Sequence, residues 1–303
     1  MANSSDNEAH TDTTGIDFTK KIRHDTYAFI DPLKPPSSHK SHSVFISGAS
    51  KGIGRSITLS FARSGASKIA IGARSSLDSV EKEILDVASK AGHPAPLILK
   101  LHLDVLDKDN VKRAAEEVAK VFGDGGLDVL VNNAAYWERL APLSGPDVDE
   151  WWHSWEVNVR GIFLVTNAFL PFVLKSKEKT IINVSSAGAL GASPGLSAYS
   201  TGKLAVLRLT EYLVVENGAE GLIAYAVHPG AILTNMTQQL PSEAYHLLTE
   251  TVELAGDTIA FLARERREWL AGRYISSTWD MEEVLSRKAE IVQKDKLKVR
   301  IVL

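Results

Sequence analysis

Tyr199 and Lys203 stand four residues apart in Tyr-Ser-Thr-Gly-Lys, a spacing that sets a phenol and an ammonium on one helical face about one turn apart. A nearby ammonium stabilises phenolate and draws the phenol's ionisation toward working pH, where a proton donor or acceptor is most effective. The same spacing also occurs as a plain surface pair. Ser186, behind the apolar run 180–185, adds a hydroxyl near that helix, although a loop serine is commonly a turn residue. Upstream, residues 47–54 read Ser-Gly-Ala-Ser-Lys-Gly-Ile-Gly, between a short apolar strand and a helix that buries Ile53, Ile57 and Phe61 on one face. Glycines allow a tight turn, and free N–H groups at a helix start attract phosphate oxygens. An ordinary glycine-rich βα turn is the bland alternative. Asn132 and Asn133 end another strand at the same rim, where amides brace the backbone of a cleft or merely form a turn. A pyrophosphate seat combined with a proton-transfer pair suits hydride transfer by a nicotinamide-dependent oxidoreductase.

The elements that must position these residues are legible from Val44 onward, where short β-branched runs alternate with longer segments of helical spacing. Strands are expected near 43–48, 68–73, 97–104, 127–133, 179–185, 222–228 and 273–277. Helices are expected near 53–64, 78–91, 107–122, 148–174, 198–217 and 251–267. This pattern predicts an α/β fold: a single doubly wound Rossmann-type domain, with a parallel sheet of about seven strands and helices on both faces. Its ligand crevice belongs at the carboxyl ends of the strands. Residues 1–41 form an N-terminal extension rich in Ser, Asp, Thr and His, with Pro32, Pro35 and Pro36, expected to be mobile before Ile16 and draped over the domain 42–303 at Tyr27, Phe29 and Ile30. No internal repeat is visible.

Composition narrows the function classes. The 303 residues are 44% hydrophobic and 23% charged, as in a soluble globular protein, and the net charge of −3 provides no broad basic field for nucleic acid. With no cysteine, disulfides and thiolate catalysis are excluded. His153, His228 and His246 lack ligand-like spacing, so no metal is expected, and His228 before Pro229 reads as a backbone brace. The polar, acidic start does not read as a secretory signal, and the apolar stretch 162–174 falls short of the ~20 residues of a spanning helix. A cytoplasmic protein without a membrane partner is the expectation.

The combination resembles the short-chain dehydrogenase/reductase family over almost everything from Ser43 to about Asp280. The family's Gly-x-x-x-Gly-x-Gly loop is present as Gly48, Gly52 and Gly54. Its Asn-Asn-Ala-Gly motif is present as Asn132-Asn133-Ala134-Ala135, and its Tyr-x-x-x-Lys as Tyr199 and Lys203. Asn158 in Glu-Val-Asn-Val and Pro229-Gly230 followed by Ile232 and Thr234 also match. Ala135 for Gly and Ser47 for the usual Thr are departures that touch the shape of the cleft. The resemblance implies that Tyr199 is the acid/base, that Lys203 binds the nicotinamide ribose and lowers the Tyr199 pKa, that Ser186 polarises the substrate carbonyl, and that Asn158 holds a relay water. It also implies cofactor contacts at Ser50, Lys51, Ile53, Asp104, Val105, Asn132 and Ala134. An Asp at a strand end is equally a common helix cap. The segments 24–32 and 272–280 look like those of fungal members, including ones from secondary-metabolite pathways, which implies a bulky natural-product ketone or alcohol under a lid at 233–249.

Cofactor choice turns on the end of the second strand. An acid there would pair with the ribose hydroxyls of NAD, but the chain has Arg74, and Lys51 adds a second cation, so NADP(H) is expected over NAD(H). Both could instead be solvated surface charges. The family's main dimer interface lies on the helices spanning 148–174 and 198–217, which implies a homodimer or homotetramer. Trp151, Trp152 and Trp155 then lie in that interface, line the substrate mouth, or cover the core. Readings from other classes are a cofactor-binding protein without turnover and an epimerase or cyclase using the same cleft.

Overall fold

The structure, a computed structural model, describes residues 14–34, 39–145 and 147–301. The stretch 1–13 of the segment expected to be mobile, and Pro35 and Pro36, lie outside the described residues. Seven strands form one sheet: β1 (Ser43–Ser47), β2 (Lys68–Ala73), β3 (Leu97–His102), β4 (Val129–Asn132), β5 (Thr180–Val184), β6 (Ile223–His228) and β7 (Arg273–Ser276). All neighbours are parallel, in the order β3-β2-β1-β4-β5-β6-β7. Strand order reverses between β1 and β4, which opens a crevice at their carboxyl ends.

Helices cover both faces because the strands are apolar on both sides. On one face lie α1 (Gly52–Arg63), α2 (Asp78–Lys90) and α7 (Val252–Arg264), over a core that includes Val44, Ile46, Ile57, Phe61, Ile71 and Leu262. On the other lie α3 (Lys108–Phe122), α4 (Val148–Trp155), α5 (Ile162–Val173) and α6 (Ser197–Asn217). There Phe45 stacks on Phe169, with ring centroids 4.3 Å apart. Adjacent β1 residues therefore feed opposite cores, as the period-two pleat requires.

The helix expected over 148–174 is broken by a π-helical segment, Glu156–Gly161, between α4 and α5. Such turns bulge the backbone by a residue and re-aim side chains. Asn158 sits on it, fully buried. Two short helices beyond β7, α8 (Met281–Ser286) and α9 (Lys288–Gln293), carry too few turns for their periodicity to stand out in the sequence. Within 14–34, Ile30 is fully buried, Tyr27 and Phe29 pack against the core, and the Tyr27 hydroxyl accepts from the Met281 N–H at 2.7 Å. Among the described residues no helix is long and apolar enough to cross a membrane.

Candidate active site

The glycine loop is shaped by contacts that exclude side chains. A Cβ on Gly54 would lie 2.3 Å from the Gly48 carbonyl oxygen, and one on Gly48 would lie 2.9 Å from the Ala134 Cα. Gly48 also takes a φ of +69°, a left-handed conformation that favours glycine. Asn133 holds this turn in place, its amide donating to the carbonyls of Ser47 and Gly48 at 3.0 and 3.2 Å. The first turn of α1 has neither a capping side chain nor an acid, so its N–H groups remain available to an anion.

This loop is one end of a cavity of about 460 Å³ along the carboxyl edge of the sheet. Of the residues singled out in the sequence, Gly48, Ser50, Lys51, Ile53, Gly54, Arg74, Asp104, Val105, Ala134, Tyr199, Lys203, Pro229 and Thr234 line it. The Arg74 and Lys51 side chains are exposed there and carry no hydrogen bond or ion pair among the described residues. The Asp104 carboxylate also accepts from the Leu106 N–H at 3.0 Å, while the cap of α3 is Asp107.

Other expected residues do not face the cavity. Asn132 is 1% exposed and turned into the sheet, donating to Thr166 Oγ1 at 2.9 Å and Asn183 Oδ1 at 2.8 Å. Strand alternation is the reason: Asn133 reaches the glycine loop, so Asn132 must point to the α5–α6 side. Gly52 packs near Thr234, with a Cβ position 3.7 Å from its methyl. Gly230, at a φ of +111°, lies against Glu250, and Ile232 is buried in a bridge with Glu250, so both shape the Pro229–Thr234 segment from behind. Asn158 also points away. Its Nδ2 donates to the Tyr136 carbonyl at 2.6 Å and to Ser154 Oγ at 3.2 Å, and its Oδ1 accepts from the Tyr136 N–H at 3.2 Å. Both amide hydrogens are thus committed to protein atoms.

At the far end of the cavity stands Tyr199, beside the lining residue Ser185 and near enough to the Ser186 hydroxyl for that group to lower the phenol's pKa, and the Trp137 ring stacks on the Tyr199 ring with centroids 5.4 Å apart. Lys203 is 1% exposed, and its Nζ lies 5.6 Å from the Tyr199 ring centroid while donating to the Val184 carbonyl at 2.8 Å. The lowered phenol pKa expected from the Tyr–Lys spacing is not what this geometry produces. Burial pushes Tyr199 up to about 12; the nearby Ser186 hydroxyl opposes this and the Glu138 charge adds to it. Burial likewise brings Lys203 down to about 8. Loss of water disfavours both charged forms, and the ammonium is directed at a carbonyl rather than at the phenol oxygen. His228 braces the Ser186 turn as expected, its Nδ1 accepting from the Ala187 N–H at 3.0 Å, and burial brings its pKa down to about 4.

Tyr136, His153 and Ser185 also line the cavity without having been placed there from the sequence, and Asn235 and Met236 line it from within the segment 233–249 expected to form the lid. Tyr136 follows Asn133 closely enough for its rim position to have been inferred. His153 reaches the rim only because α4 docks beside that loop, its ring edge-on to Tyr136 at 4.7 Å. The three tryptophans gather on α4: Trp151 stacks on Trp155 with centroids 6.0 Å apart, their Nε1 atoms donate to Ser197 and Thr201 of α6, and Trp152 is 56% exposed.

Residues 42–244 match the model of the short chain dehydrogenase family. The chain is 48% identical over 291 residues to the short chain dehydrogenase mpl6 of Monascus purpureus, covering 96% of this chain and 98% of that protein. It is 44% identical over 289 residues to the short chain dehydrogenase pigC of Monascus ruber, covering 94% of each. A short chain dehydrogenase structure from Salmonella enterica serovar Typhi superimposes with a TM-score of 0.72 at 25% identity, over 80% of this chain and 99% of that one. The chain therefore belongs to the short-chain dehydrogenase family, with fungal enzymes among its relatives, and is at the level of that family an NAD(P)-dependent oxidoreductase.

Proposed function

We propose that the chain is an NADP(H)-preferring ketone reductase, also able to oxidise the corresponding secondary alcohol, with Tyr199 as acid/base. The observation that carries this reading is the Tyr199 phenol, with the Ser186 hydroxyl beside it, at one end of a cavity whose other end is the glycine cradle. Gly48, Ser50, Ile53 and Gly54 would hold a pyrophosphate, Asp104, Val105 and Ala134 the adenosine half, and Lys203, Pro229 and Thr234 the nicotinamide end. The cofactor supplies the hydride. Arg74 and Lys51, both unpaired and at the adenosine end, favour a ribose that bears a phosphate.

As a carbonyl accepts hydride, negative charge develops on its oxygen, and the hydroxyls of Ser186 and Tyr199 both offer donors to stabilise it. Tyr199 then transfers its proton to that oxygen. A phenol held near 12 stays protonated at neutral pH, the form that donates the proton in reduction. Asn158 supports the site by tying the π-helical segment to the Tyr136 backbone. Tyr136, Trp137 and Met236 fit a bulky, apolar, natural-product-like substrate entering past the segment 233–249.

The exposed apolar side chains Trp152, Phe163, Leu204, Tyr212 and Val215 lie on α4, α5 and α6, supporting a homodimer or homotetramer assembled there. Following NADPH oxidation against a panel of cyclic and aryl ketones, beside NADH, tests the reading. Absence of ketone-dependent turnover with both cofactors would overturn it.

A further inference from the structure

Glu138 lies in the loop between β4 and α4, 4% exposed, and serves neither the cofactor cradle nor the substrate hydroxyls. Its two oxygens are used in different directions. Oε1 accepts from the backbone N–H of Tyr199 at 2.9 Å, and Oε2 accepts from the Ser154 hydroxyl at 2.8 Å. Ser154 is fully buried and its Oγ accepts in turn from Asn158 Nδ2 at 3.2 Å. A continuous chain of hydrogen bonds thus runs from the π-helical segment through Ser154 and Glu138 to the first turn of α6.

We propose that Glu138 is a positioning residue, whose carboxylate fastens the N-terminus of α6, and with it Tyr199, to the Asn158 segment. The proposal rests on the reading of Tyr199 as acid/base. Its basis is a gap in the local sequence: the N-cap position of α6 is Leu196, which has no side chain able to accept, and the first turn contains no acid. The Tyr199 N–H is one of the orphan donors of a helix start, normally met by a capping Ser, Thr, Asp or Asn. Here the acceptor comes from 61 residues earlier in the chain, and a carboxylate at that position is also favoured by the helix dipole. The N-terminus that presents the phenol is therefore located by the β4–α4 loop rather than by its own cap.

The same carboxylate places a negative charge near the phenol, which raises the Tyr199 pKa. The other charged group facing the ring is Lys203, on α6 itself; Ser186 from beyond β5 and Trp137 from the β4–α4 loop are uncharged, and Tyr136 and His153 line the cavity beside them. Position and charge can therefore be separated by two substitutions. Glu138→Gln keeps an oxygen for the Tyr199 N–H and removes the charge, whereas Glu138→Ala removes both.

The test follows ketone reduction across pH in the full chain, with NADPH affinity measured by fluorescence titration. Glu138→Ala is expected to lower kcat about tenfold, with KM and NADPH affinity kept within about twofold, since a small misplacement of a reacting group is enough for such a loss. Glu138→Gln is expected to restore most of that kcat and to move the alkaline limb of the pH profile downward. Titration of 13Cζ-labelled tyrosine, with the Tyr199 signal identified by its absence in Tyr199→Phe, should show the same downward shift without turnover. If Glu138→Ala does not fold, Ser154→Ala, which cuts the chain one link away, should lower kcat in the same sense. Parental kcat in Glu138→Ala, or in Ser154→Ala where that variant replaces it, overturns the proposal, as does an unmoved Tyr199 titration in Glu138→Gln. Reduction that survives Tyr199→Phe overturns the acid/base reading instead, so the two failures are distinguishable.

Discussion

Lys203 holds its Nζ 5.6 Å from the Tyr199 ring centroid while hydrogen-bonding to the Val184 carbonyl, so the ammonium of the pair is anchored to β5 rather than to the phenol oxygen. The phenol keeps its proton at neutral pH. Tyr199→Phe preserves the ring that stacks on Trp137 and deletes the proton, and ketone reduction should fall by about 100-fold or more. NADPH binding should persist. Turnover near the parental rate would remove the assignment.

The direction of the Tyr199 shift also sets the pH behaviour of the two reactions. Alcohol oxidation needs phenolate, so its rate should climb steadily from about pH 7 to about pH 10, while ketone reduction stays nearly level over that range. Initial rates in both directions, with buffer ionic strength held constant, check this. An oxidation rate already flat above neutrality would mean that the phenol ionises far lower.

Arg74 and Lys51 should account for cofactor preference. Arg74→Ala is expected to weaken NADPH binding about tenfold and leave NADH binding almost unchanged, the loss of one charge-assisted phosphate contact. Lys51→Ala should act in the same direction. If neither substitution alters the ratio of the two dissociation constants, the electrostatic explanation is wrong.

Gly54→Ala tests the cradle itself. The added Cβ would sit 2.3 Å from the Gly48 carbonyl oxygen and 2.4 Å from Asn133 Nδ2, so the turn must open, and affinity for either cofactor should drop by about tenfold or more. Calorimetric titration against the parent chain measures it. A variant that binds both cofactors as the parent does would show that the turn is not the phosphate seat.

His228 links the Ser186 turn to acid stability. Its folded pKa of about 4 lies below the ordinary 6.5, so between these values the unfolded chain binds more protons than the folded one. Stability is then present above about pH 6.5 and is lost as pH falls toward 4. His228→Asn keeps an acceptor for the Ala187 N–H but does not titrate, and it should flatten the dependence of Tm on pH in that window. An unchanged slope would assign the acid sensitivity to other groups, such as the buried His39, which is also brought down, to about 3.

Hydrophobic periodicity and glycine placement were enough to determine the succession of strands and helices along the chain, the parallel doubly wound sheet, and the placing of the glycine loop at the carboxyl edge of that sheet, because these depend on local patterns that a linear chain displays. What the tertiary structure decided depends on direction. Whether Asn132 or Asn133 reaches the glycine loop follows from the strand pleat and its register, and the break in the helix over 148–174 follows from the ties between Asn158 and the Tyr136 backbone. The ionisation of Tyr199 and Lys203 was not legible from their spacing, since burial outweighs a neighbour whose charge is directed elsewhere. Glu138 was equally hidden: nothing within 61 residues of sequence pairs it with the Tyr199 N–H, and only the packing of the β4–α4 loop against α6 brings that acceptor to an uncapped helix.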